Sequence, residues 1–135
     1  MRAGKVIGAA VLVAAAACAT MGGAPSQRAA LDQDFQLARG ASAAVDALTV
    51  RFTQVMEDSR CPMGVQCIRA GEAKVHLELR TASGQSDDVV LSTARTQQRY
   101  ASLGAYDVHL VSLDPPRRTD VAHPRYVATL RVTRH

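Results

Sequence analysis

The stretch Lys74-Val75-His76-Leu77-Glu78-Leu79-Arg80 decides the fold. Val75, Leu77 and Leu79 alternate with His76, Glu78 and Arg80, and a period of two puts the three apolar side chains on one face of an extended chain. Such a segment is a strand with one face in a core and the other in water. The same period recurs on both sides of it. Upstream, Leu48, Val50 and Phe52 alternate with Thr49 and Arg51, and then parity slips so that Val55 takes the apolar role. A one-residue slip predicts a bulge at Thr53-Gln54. Downstream, Tyr106, Val108 and Leu110 alternate with Asp107 and His109, and Tyr126, Ala128, Leu130 and Val132 alternate with Thr129, Arg131 and Thr133. Phe35 and Leu37 mark a short first strand, and Val89-Val90-Leu91 a short middle one.

Breakers fall between these runs: Gly40, Pro62, Gly64, Gly71, Gly84, Gly104, Pro115-Pro116 and Pro124. Only residues 92–103 leave room for a turn or two of helix, and they carry no apolar stripe. Six or seven short strands with turn signals between them predict an all-β domain, an antiparallel β-sandwich that is Ig-like or small-barrel-like.

The N-terminus reads differently. Arg2 and Lys5 precede the apolar run 6–17, which ends in Ala15-Ala16-Ala17 before Cys18. Twelve apolar positions are too few for a bilayer core that needs about 20 helical residues. They suit the central region of a secretory signal, with a cationic start and small residues at the end. Residues 1–17 are therefore expected to be a signal peptide, 18–33 a flexible tether rich in Gly, Ala, Pro, Ser and Gln, and 34–135 the folded domain.

Removing residues 1–17 from a chain of 135 leaves 118, enough for one domain. Arg2 and Lys5 leave with the signal, so the formal charge of +4 falls to +2. The remaining arginines are scattered and aromatics make up only 4% of the chain. A basic stripe with interleaved aromatics is missing, which argues against nucleic acid as a partner.

Of three cysteines, Cys18 is taken up by processing, and Cys61 and Cys67 remain as a pair. In an oxidising compartment that pair is most simply a disulfide. The ring of seven residues it closes is worth about 2–2.5 kcal/mol of chain entropy. A redox-active pair and a thiolate metal site are the alternatives. The spacing is not C-x-x-C, no helix N-terminus is evident to activate a thiol, and no histidine sits at ligand spacing beside the pair.

Glu57, Asp58, Arg60 and Glu72 flank the cysteines and form the one charge cluster, a candidate binding loop. Asp58 and Ser59 are expected to accept hydrogen bonds from loop amides, and Arg60 to pair with Glu57 or Glu72. Cation binding by these carboxylates is the alternative. Residues 113–125 form a second candidate binding loop, with Pro115, Pro116, Arg117 and Arg118 as a stiff basic tip. His76 and His109 occupy outward strand positions and could share a transition metal if their strands are neighbours. Without a third ligand, surface histidines are the simpler reading, so no metal site is assigned. Gly40-Ala41-Ser42-Ala43-Ala44 falls short of G-x-S-x-G, and H-E-x-x-H, a phosphate-binding glycine loop and C-x-x-C do not occur. Catalytic residues and a cofactor are not expected.

Two resemblances follow from these residues. Val13-Ala14-Ala15-Ala16-Ala17-Cys18 resembles the lipobox of bacterial lipoproteins, although Ala15 stands where leucine is usual. The resemblance implies acylation of Cys18 and a membrane as partner. Ala19 is not the retention aspartate of many enteric-type lipoproteins, which points to the outer rather than the inner membrane, facing the periplasm. Ordinary cleavage at the small-x-small site Ala17-Cys18-Ala19, giving a soluble secreted protein, is the alternative; an uncleaved anchor is the weakest reading. The segment Glu57-Asp58-Ser59-Arg60-Cys61-Pro62, followed by Val65-Gln66-Cys67 and Ala70-Gly71, is similar to a segment of small secreted bacterial proteins. Arg69 replaces an aromatic of that pattern, and the likeness implies no activity.

The expected function is a non-enzymatic cell-envelope lipoprotein, a binding or structural sandwich whose partner is a protein or small ligand. The alternatives are a thiol- or metal-handling envelope protein built on Cys61, Cys67 and the strand histidines, and a secreted enzyme inhibitor with either loop as its wedge.

Overall fold

A computed structural model describes Gly4, residues 27–94 and residues 98–135 of the chain. The signal peptide, Cys18 and most of the expected tether lie outside the described residues. Nine strands follow in order: β1 (Gln27–Ala29), β2 (Asp34–Ala38), β3 (Ser42–Val45), β4 (Leu48–Asp58), β5 (Ala73–Thr81), β6 (Ser86–Ser92), β7 (Tyr100–Leu103), β8 (Tyr106–Asp114) and β9 (Val127–Arg134). They form a five-stranded sheet in the order β1-β3-β4-β5-β6 and a four-stranded sheet in the order β2-β9-β8-β7. The all-β sandwich predicted from the alternation is the fold.

The inward parity of β4, β5, β8 and β9 is the one read from sequence. Val50, Phe52, Val75, Leu77 and Leu79 from the first sheet meet Leu37, Val108, Leu110, Leu130 and Val132 from the second, all buried. Every one of these core side chains lies between residues 37 and 132, so residues 27–135 hold a complete hydrophobic core of their own. Among the described residues no buried side-chain polar atom lacks a hydrogen-bond partner. Tyr106 ties the sheets together: its hydroxyl donates to Asp46 Oδ2 at 2.6 Å and accepts from the Ala47 amide at 3.2 Å, both in the turn between β3 and β4.

The bulge expected at Thr53-Gln54 is present, as a register shift between Phe52 and Gln54 against β5. One expectation is corrected: the tether does not run to residue 33, because β1 joins the first sheet at its edge. Residues 92–103, which left room for a turn of helix, hold none among the described positions; Ser92 ends β6 and Tyr100 begins β7. The antiparallel sandwich carries one parallel pair, β1 with β3, Gln27 opposite Ala43 and Ala29 opposite Val45. β1, β3 and β7 span only three or four residues, too short for a period to register.

Candidate functional site

The connections after β4 and after β8 meet at one end of the sandwich, and they do so around Arg60. Its guanidinium forks onto Asp58, Nε donating to Oδ1 and Nη2 to Oδ2, each at 2.8 Å. Nη1 donates to the Leu113 carbonyl at 2.7 Å and Nη2 also to the Pro115 carbonyl at 2.9 Å. The planar guanidinium can satisfy a carboxylate and two carbonyls together, which a lysine cannot. Asp58 receives a third donor, the Tyr126 hydroxyl, at 2.9 Å. Thus a residue at the end of β4, one in the clasped loop and one just before β9 form a single node across both sheets. The Arg60 and Asp58 side chains are only 16% and 11% exposed.

Ionisation follows from these contacts. Burial pushes the Asp58 carboxyl up, but hydrogen bonds from Arg60 and Tyr126 and the Arg60 charge outweigh it and hold the group below its ordinary range. The hydrogen bond to Asp58 raises Arg60 further, against its own desolvation. Burial first, then the hydrogen bond to Asp58 and its charge, raise the Tyr126 phenol. The node is therefore an ionised carboxylate held between a guanidinium and a neutral phenol, an arrangement that fastens loops and has no poised proton donor at neutral pH.

The loop itself is clasped. Cys61 and Cys67 form a disulfide, with sulfurs 2.14 Å apart and Cα atoms 5.9 Å apart. Below the clasp the two chain directions stay paired. The Ser59 amide donates to the Glu72 carbonyl at 2.7 Å, the Glu72 amide to Ser59 Oγ at 3.0 Å, and the Cys61 amide to the Ala70 carbonyl at 3.0 Å. Gly71 permits this approach. Its φ is +66°, and a Cβ there would sit 1.8 Å from the Ser59 carbonyl oxygen.

The second candidate loop lies against the first. Arg117 Nη1 donates to the Arg60 carbonyl at 3.0 Å, and the Arg117 carbonyl accepts from the Met63 amide at 2.9 Å. The Asp114–Pro115 peptide within it is cis. Arg118 pairs with Asp120 at 2.9 Å in the open. Beyond these bonds the clasped loop presents apolar side chains to solvent: Met63 is 62% exposed, Val65 48% and Ile68 fully.

Of the residues singled out in sequence, Asp58, Arg60, Arg117 and the disulfide thus converge. Glu57 and Glu72 do not join them. The expected pairing of Arg60 with Glu57 or Glu72 is corrected: those two carboxylates flank Lys74, at 3.3 and 3.8 Å, and Glu72 also accepts from the Ser92 hydroxyl. Asp58 outcompetes them because, two residues away at a strand end, it offers both oxygens to the fork. Tyr126 and the carbonyls of Leu113 and Pro115 were not legible as partners. Tyr126 reads in sequence as one more apolar strand position, and a carbonyl leaves no mark in sequence.

His76 and His109 stand on different sheets, β5 and β8, each on the face turned away from the core. They are not neighbours. His76 Nδ1 bonds the Thr53 hydroxyl, whereas His109 stacks on Tyr100 at 5.4 Å and reaches Thr133. The structure therefore does not bring together the histidine pair on which metal handling was to rest. Among the described residues no three His, Cys, Asp or Glu side chains are grouped to hold a metal ion. A shallow concavity lies elsewhere, on the outer face of the first sheet, where Arg51 and Glu78 pair at 3.7 Å.

Comparison with known protein families, with curated proteins and with solved structures finds no match to this chain.

Proposed function

We propose that this protein is a cell-envelope lipoprotein, acylated at Cys18, that presents a non-enzymatic binding or structural sandwich to the periplasm, on the outer rather than the inner membrane. The observation that carries the reading is the braced end of the sandwich. The loop after β4 is closed on itself by a disulfide and is tied to the segment between β8 and β9 by the Asp58–Arg60–Tyr126 node, and the braced loop exposes Met63, Val65 and Ile68. A loop stabilised at such length, yet carrying apolar side chains into water, has the make-up of a contact surface. A disulfide between Cys61 and Cys67 accords with folding in an oxidising compartment, where the export signal in residues 1–17 would deliver the chain.

The intact mass of the membrane-extracted protein tests this. The expected mass is that of the chain from Cys18 onward with acyl groups added and two hydrogens lost. A full-length cytosolic chain with free thiols at Cys61 and Cys67 would overturn the proposal.

A further inference from the structure

We infer that the clasped end is a membrane-docking tip, which sets Met63, Val65 and Ile68 into the surface of an anionic phospholipid bilayer; the orientation rests on acylation of Cys18. Three observations converge on it. The first is direction. β1 runs parallel to β3 and therefore antiparallel to β4, so the N-terminal end of β1 points toward the end of the sandwich where β4 delivers Asp58 and the clasp. Gln27 lies level with Ala43, which is level with Val50. From Val50 to Asp58, with its two bulges, β4 faces only the six steps from Leu79 to Ala73 on β5, a rise of about 20 Å, and Cys61, paired with Ala70, stands about 10 Å further along. The nine Cα steps from Cys18 to Gln27 span about 30 Å at full extension. Nine steps are thus enough for an anchor at Cys18 to reach the level of the clasp's base.

The second observation is apolar exposure. Met63, Val65 and Ile68 protrude from one seven-to-eight-residue loop whose backbone is held by the disulfide and by the bond from the Met63 amide to Arg117. Val121, 42% exposed, lies on the adjoining loop. Little conformational entropy remains to be lost when such a loop is immobilised, so apolar burial is not offset. The third is charge. Residues 58–71 and 114–126 contain five basic residues, all arginine, against three acids, while the rest of the chain from residue 27 carries equal numbers of basic and acidic residues. Arg69, Arg117, Arg118 and Arg125 are all exposed. Apolar side chains among arginines suit an interface of acyl chains beneath anionic headgroups. A protein partner would not require the clasp to face the same way as the N-terminal segment.

The test uses the unacylated chain 19–135, which retains the complete core described above, in co-sedimentation with phosphatidylglycerol-containing vesicles and with purely zwitterionic ones. Binding is expected to the anionic vesicles and to weaken as salt is added. Met63→Asp with Ile68→Asp is expected to lower the partition coefficient about tenfold or more, the loss of two inserted apolar side chains. Arg69→Gln with Arg125→Gln is expected to lower it about tenfold on anionic vesicles alone. Neither pair touches the Asp58–Arg60–Tyr126 node, and an intact disulfide with an unchanged circular dichroism spectrum verifies folding. No vesicle binding by the parent chain, or equal binding by the Met63/Ile68 variant, would overturn the inference even where Cys18 proves acylated. Acyl mass missing from Cys18 would overturn the anchor reading and the orientation with it, while the vesicle result judges insertion separately.

Discussion

Replacing Arg60 with alanine removes four hydrogen bonds at once, two to Asp58 and one each to the Leu113 and Pro115 carbonyls. Breaking a fully buried pair by removing one partner costs about 3–5 kcal/mol. Here Asp58 is 11% exposed and keeps the Tyr126 hydroxyl, so water and the phenol recover part of the carboxylate's solvation. A charge-assisted pair of this kind contributes about 1.5–3 kcal/mol, and a carbonyl left without its donor costs about 1 kcal/mol more. The expected loss is about 3 kcal/mol, against a total stability of about 5–15 kcal/mol. For a domain near 110 residues that lowers Tm by about 12–15 °C. Urea unfolding of the oxidised chain measures it, with the midpoint falling and the slope unchanged. Arg60→Lys keeps the charge but cannot fork, and should recover less than half of the loss. The combination Asp58→Ala plus Arg60→Ala should be clearly less destabilising than the two single changes summed, because the pair acts as a unit. A loss under about 1 kcal/mol for Arg60→Ala, or full rescue by lysine, would refute the claim that this fork joins the two sheets' loops.

Other outcomes follow from the same geometry. Cys61→Ser with Cys67→Ser should lower stability by about 2–2.5 kcal/mol and leave the sandwich folded, since the core is formed elsewhere; circular dichroism with urea titration checks both halves. Gly71→Ala should cost about 2 kcal/mol or more, because the new Cβ meets the Ser59 backbone and the left-handed φ is strained. Gly104→Ala is a milder case, its nearest obstacle being the movable Gln85 side chain. The Asp58 carboxyl is held below its unfolded value near 3.9. Its contribution is therefore complete above about pH 4–5 and lost as pH falls through the folded value, and Asp58→Asn should flatten the acid limb of a stability–pH curve. Tyr126 is shifted the other way, so its contribution is complete below about pH 10 and disappears as pH rises through the higher folded value. Tyr126→Phe should remove that alkaline loss, read by thermal unfolding across the pH series.

The strands that carry the core were legible because side-chain parity is local. Val75, Leu77 and Leu79 on β5 must share a face whatever they pack against, and the same holds for Val108 and Leu110 on β8. Parity even located the β4 bulge, since an inserted residue moves every later side chain to the other face. The cysteine pair was legible too, as the two thiols left over once Cys18 is assigned to the expected export signal. The short edges were not. Gln27-Arg28-Ala29 carries no alternation to detect, and it becomes a strand only because β3 offers an unpaired backbone.

The amino-acid order by itself determined which residues face inward, that two sheets would be needed to cover them, and that Cys61 and Cys67 would be available to each other. Tertiary structure alone decided which strand lies beside which, and hence that Arg60 turns from Glu57 and Glu72 to Asp58, Tyr126 and two carbonyls, and that His76 and His109 end up on separate sheets. The reason is one of range. Parity acts between neighbours along the chain, whereas a guanidinium chooses its partners by distance, among groups that strand pairing has carried from more than fifty residues away.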